Sequence, residues 1–88
     1  MVWQVVLTKQ AAKDAQNLVN AKLWSNAERL LEVLAIDPFQ NPPPYEKLVG
    51  NLARFYSRRI NIQHRLVYQV LRDINTVKVV RMWSHYEF

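Results

Sequence analysis

Four residues in the second half of the chain, Glu46, Arg65, His85 and Tyr86, carry side chains suited to a single reaction. A carboxylate accepts a proton, a guanidinium supplies a fixed cation, and an imidazole titrates near neutrality. A tyrosine adds a stacking ring and a hydroxyl. RNA brings its own nucleophile, the 2′-hydroxyl beside each phosphodiester. Cutting it takes a base for that hydroxyl, a cation facing the phosphate and an acid for the leaving 5′-oxygen. Such a route ends in a 2′,3′-cyclic phosphate and a 5′-hydroxyl, and it calls for neither metal nor cofactor. Spacing alone does not bring the four together, and each has a plainer reading. Glu46 beside Lys47 fits a solvated loop charge, Arg65 a paired strand arginine, His85 the cap of a terminal strand and Tyr86 a packing residue. His64, in a turn before Arg65, reads as structural, and Trp3, Trp24 and Trp83 read as core or interface residues.

The distribution of charge bears on the partner. Twelve Lys and Arg against seven Asp and Glu give a net charge of +5. Residues 1–44 are neutral, with Lys9, Lys13, Lys22 and Arg29 balanced by Asp14, Glu28, Glu32 and Asp37. Residues 45–88 therefore carry the whole excess. Seven of the basic residues are arginines, whose planar fork matches phosphate. Arg58, Arg59 and Arg81 join Arg65 as candidate RNA contacts.

Eighty-eight residues make one domain, too small for a large cofactor crevice. The absence of cysteine excludes disulfide frameworks, thiol nucleophiles and Cys-type zinc sites. No apolar run approaches the ~18–20 residues of a membrane span, and the amino terminus lacks signal-peptide organisation. The expectation is a cytoplasmic protein without membrane attachment.

The elements that must position these side chains follow from periodicity. Residues 2–7 read as a strand ending at Thr8, a candidate helix N-cap. Ala11, Ala15, Leu18 and Val19 then follow helical spacing, with Lys13, Asp14, Gln16 and Asn17 opposite. Leu23, Ala27, Leu30, Leu31 and Leu34 form the stripe of a second helix, which must end by Asp37 because of Pro38. Residues 38–45, with three consecutive prolines, form a stiff connector that delivers Tyr45 and Glu46 to a fixed place. Residues 54–60, 65–71 and 76–83 read as strands joined by short turns. The predicted fold is α+β, a β-α-α-β-β-β domain with two helices on one face of an antiparallel sheet. Alternation sets Phe55, Ser57 and Arg59 against Arg54, Tyr56 and Arg58, and Leu66, Tyr68 and Val70 against Arg65, Val67 and Gln69. The same parity puts Val77, Val79, Arg81, Trp83 and His85 together.

The run Phe55-Tyr56-Ser57-Arg58-Arg59-Ile60-Asn61-Ile62-Gln63-His64-Arg65-Leu66-Val67-Tyr68-Gln69-Val70 closely resembles the Txe/YoeB family of bacterial toxins, relatives of RelE. Pro38-Phe39, the lead into Glu46-Lys47-Leu48, Asn51-Leu52 and the closing Ser84-His85-Tyr86 match in order, so the resemblance covers essentially the whole chain. It implies a single RelE/YoeB-like domain over residues 1–88 that acts as a ribosome-dependent mRNA interferase. The family's catalytic glutamate falls on Glu46, its phosphate-contacting arginine on Arg65, its histidine on His85 and its near-terminal tyrosine on Tyr86. Arg59 falls where the family has a further basic residue. The partners implied are the ribosome and its mRNA, a YefM-like antitoxin and a second copy in a homodimer. Two other readings use the same residues: a basic module that binds the ribosome without cutting, and a ParE-like gyrase poison.

Overall fold

The structure is a computed structural model that describes residues 3–48 and 54–83. Strand β1 (Gln4–Leu7) leads into helices α1 (Lys9–Asn20) and α2 (Trp24–Ile36). Strands β2 (Glu46–Lys47), β3 (Phe55–Arg59), β4 (Arg65–Leu71) and β5 (Thr76–Arg81) follow. They form one five-stranded sheet in the order β1-β5-β4-β3-β2. All pairings are antiparallel except β1 with β5, which run parallel. The two helices carry the chain from β1 to the opposite edge at β2, and the meander β2-β3-β4-β5 returns to lay β5 parallel to β1. The fold is thus α+β as expected, with one parallel pair and a two-residue edge strand that periodicity did not reveal. Two residues are too few to show alternation.

Local chemistry explains the helix boundaries. The Thr8 side chain accepts a hydrogen bond from the Ala11 amide at 3.1 Å and so caps α1. At the other end Lys22 takes a left-handed conformation, φ 63°, and the Leu23 amide donates back to Leu18 O at 2.8 Å. Helix α2 stops at Ile36, because Asp37 precedes a proline and turns extended. Leu18, Leu30, Leu34, Leu66, Tyr68, Val77 and Val79 meet in one core between the helices and the sheet.

Two expectations about α1 are corrected. Val19 is half exposed, and Asp14 is buried. The Asp14 carboxylate accepts from Arg81 Nε at 2.9 Å, the Met82 amide at 3.0 Å and Gln10 Nε2 at 3.0 Å. A carboxylate with that many donors is satisfied inside the protein, which a polarity pattern cannot foresee. Parity along β5 also fails. The register slips by one residue between Val67 and Tyr68, so that Val67 faces Arg81 while Tyr68 faces Val79. This bulge makes Met82, not Arg81, continue the core row of Val77 and Val79. Trp83 stacks on His64 with ring centroids 3.9 Å apart. The grouping of Arg81, Trp83 and His85 with that row therefore does not hold through the bulge, and His85 itself lies outside the described residues.

Replacing Asp14 by alanine strips Arg81 and the Met82 amide of their acceptor. Urea denaturation of Asp14→Ala should show a loss of about 3 kcal/mol, the low end for breaking a buried pair.

Candidate active site

The proline connector is held from the sheet side by one residue. Arg58 is fully buried, and its guanidinium donates to three carbonyls of the connector. Nη1 reaches Pro43 O at 2.6 Å, and Nη2 reaches Pro38 O at 3.0 Å and Gln40 O at 2.9 Å. The same group lies 5.0 Å from the centre of the Tyr45 ring. The Tyr68 hydroxyl adds a bond to Pro38 O at 2.9 Å. Phe39, Tyr45, Tyr56 and Tyr68 pack ring against ring around this hub. Burial pushes the Tyr68 hydroxyl up from its ordinary 10.0 to about 12, against the opposing pull of the Arg58 cation. The connector thus leaves Glu46 where β2 joins the sheet.

Pairing then aligns the site. Glu46 stands opposite Ser57, Ser57 opposite Val67, and Arg59 opposite Arg65. Alternation turns Glu46, Ser57, Arg59 and Arg65 to the face away from Tyr56 and Tyr68. There they line a cleft of about 290 Å³ together with Pro44 and Tyr45. Arg65 Nη1 lies 3.1 Å from Glu46 Oε1. The Glu46 side chain is 61% exposed and that of Arg65 19%, so the carboxylate is open to a ligand while the cation is largely covered. Arg59 is exposed, and among the described residues it has no ion-pair partner. This is a carboxylate and two guanidinium groups around one opening.

The sequence-derived candidates separate accordingly. Glu46, Arg65 and Arg59 come together. Arg58 and Arg81, expected to contact RNA, are corrected. The first is occupied by the connector's carbonyls, and the second is tied to the buried Asp14. Strand parity could have withdrawn Arg58, since it shares the face of Tyr56. Only the bulge and the helix contact withdraw Arg81. His85 and Tyr86 lie outside the described residues. Ser57 was missed as a site residue, although its parity with Arg59 marked it. Its hydroxyl is buried and, among the described residues, has no hydrogen-bond partner.

Two helices on a five-stranded sheet, with an acid and two arginines in an open cleft at the sheet edge, define a small α+β domain built around a charged cleft. The family model described as "YoeB-like toxin of bacterial type II toxin-antitoxin system" matches residues 8–86, and the chain belongs to that family. A "Toxin YoeB" of Synechocystis is 43% identical over 54 residues, which span 60% of this chain and 63% of that protein. The "YoeB/ParE toxin from Agrobacterium tumefaciens" superposes with a TM-score of 0.85 at 27% identity, covering 94% of this chain and 99% of that one. The YoeB of a heterotetrameric YoeB-YefM complex from Staphylococcus aureus gives 0.79 at 31% identity, covering 96% and 98%.

Two consecutive arginines should therefore behave differently. Arg58→Ala leaves three carbonyls without their donor and should cost about 3 kcal/mol or more by chemical denaturation. Arg59→Ala should stay within ~0.5 kcal/mol. Tyr68 should ionise late, near pH 12 against 10.0 when unfolded. Between those values the unfolded chain has released a proton that the fold retains, so the Tyr68 contribution is intact below pH 10.0 and is lost as pH rises to about 12. Tyrosinate absorbance of Tyr68→Phe, lacking the late step, checks the assignment.

Proposed function

We propose that this toxin is an endoribonuclease that cuts mRNA in the ribosomal A site and so arrests translation. The observation that carries the reading is the Glu46 carboxylate 3.1 Å from the Arg65 guanidinium at the mouth of a basic cleft, in a chain of the YoeB-like family. A scissile phosphate entering the cleft competes with Glu46 for Arg65. The displaced carboxylate is then free to take the 2′-hydroxyl proton. The 2′-oxygen attacks phosphorus, and Arg65 and Arg59 stabilise the charge growing on the phosphoryl oxygens. The P–O5′ bond breaks and the leaving oxygen takes a proton. The family resemblance assigns that acid to His85 and a supporting contact to Tyr86. The base and acid carry the proton from the 2′-oxygen to the 5′-oxygen with no net gain or loss. Holding both partners still is worth much of the acceleration, which is what the clamped connector provides for Glu46.

A YefM-like antitoxin is the regulatory partner proposed. The YoeB-YefM complex of S. aureus supports it, as a protein of the same fold caught with such a partner. A second copy in a homodimer completes the partners.

Expression of the toxin should yield mRNA fragments ending in 2′,3′-cyclic phosphate, mapped by primer extension and end-group analysis. Arg65→Ala and Glu46→Gln should each lower cleavage at least ~100-fold, the scale expected when an acid–base or electrostatic group is removed. Growth arrest with intact message would instead indicate occlusion of the ribosome, and DNA breaks without mRNA ends would indicate a gyrase poison.

A further inference from the structure

The edge strand β2 has two sides, and only one belongs to the site above. Glu46 turns into the catalytic cleft, while Lys47, next in sequence, turns to the opposite face beside its partner Tyr56. On that face a second cleft of about 420 Å³ opens where β3 begins and β4 ends. Lys47, Arg54 and Arg72 line it, over a floor that includes Tyr56 and Val70. Among the described lining residues Asp73 is the one carboxylate. All three cations are exposed. Among the described residues none of them has an ion-pair partner. Arg72 is oriented by the Phe39 ring, whose centre lies 4.7 Å from its guanidinium carbon. The connector that sets Glu46 therefore also sets a cation of this second cleft.

We propose that the Lys47–Arg54–Arg72 cleft binds the phosphodiester backbone of the RNA strand whose scissile bond lies in the Glu46–Arg65 cleft, the strand bending around the β2 edge from one to the other. The proposal rests on the nuclease reading. Three cations against one carboxylate define a site for a polyanion, and two of the three are arginines with the fork that suits phosphate. Continuity favours RNA over an acidic peptide, since consecutive residues of a single edge strand face the two clefts. Proteins that track a single strand do so along a basic groove, and a second basic cleft beside the first extends such a groove.

The test uses a fluorescently labelled, uniformly 2′-O-methylated RNA of about ten nucleotides, which binds but cannot be cut. Its affinity is measured by anisotropy across a salt series. Neutralising Lys47, Arg54 and Arg72 together to glutamine should flatten the plot of log affinity against log salt by about 2, because each phosphate that a cation neutralises on a single strand contributes ~0.7 to the slope. Lys9→Gln, Lys13→Gln and Arg29→Gln together remove the same charge from the helices and should leave the slope nearly unchanged. Equal changes in the two triple variants would mean that net charge alone acts, and the proposal falls. It falls also if neither slope moves, if the parent does not bind the RNA, or if the cleft variant loses only affinity for a polyglutamate peptide. Cleavage of unmethylated message by the parent on translating ribosomes is scored in parallel. A slope change without any cleavage would keep this cleft as an RNA site and remove the nuclease reading alone.

Discussion

The guanidinium of Arg58 ties a chain segment with little regular structure to the most regular part of the molecule. Pro42, Pro43 and Pro44 cannot donate backbone hydrogen bonds, so the connector has few means of fixing itself. Its carbonyls are fixed instead by one buried cation on β3, with Tyr68 assisting from β4. A desolvated guanidinium is tolerable only because three carbonyls and the face of Tyr45 surround it. The dependence is mutual: without the connector the cation is buried unpaired, and without the cation the connector loses its anchor. Glu46 enters the sheet at the end of that anchored segment, so the carboxylate of the site is placed by an interaction on the other face.

Alternation along β2 and β3 then divides the labour of neighbouring residues. Ser57 and Arg59 face the cleft, while Tyr56 and Arg58 face the core. Adjacent arginines in one tripeptide thus serve unrelated ends, one building the site's support and the other contributing charge to its opening. Glu46 and Lys47 repeat the division at the edge, and the second cleft exists because of it. A short strand suffices for this, since two residues in sheet register already point to opposite faces.

At the far side of the sheet Asp14 makes a tie of the same kind. Its carboxylate joins α1 to the end of β5 by accepting from Arg81 and the Met82 amide. The bulge in the β4–β5 pairing brings Met82 into the core at that point. The chain leaves β5 held by an ion pair and by the His64–Trp83 stack, which also fastens the turn ahead of Arg65. Two of the basic half's arginines, Arg58 and Arg81, are therefore committed to architecture. Part of a charge excess that suggests a polyanion partner is taken up inside the protein.

Much was legible in the residues themselves. The Thr8 cap, the end of α2 before Pro38, the limits of β4 and the face shared by Ser57 and Arg59 all follow from local rules, in which each residue answers to neighbours a few positions away. The resemblance of residues 55–70 pointed to the family. What tertiary structure alone decided is what depends on distant partners. The parallel pairing of β1 with β5, the burial of Asp14, the bulge that resets parity before Met82, and the capture of Arg58 by carbonyls 15 to 20 residues earlier are of this kind. A guanidinium has the same sequence signature whether it meets carbonyls, a carboxylate or solvent. Its role is set by the donors and acceptors that folding brings within hydrogen-bond reach, and those lie elsewhere in the chain.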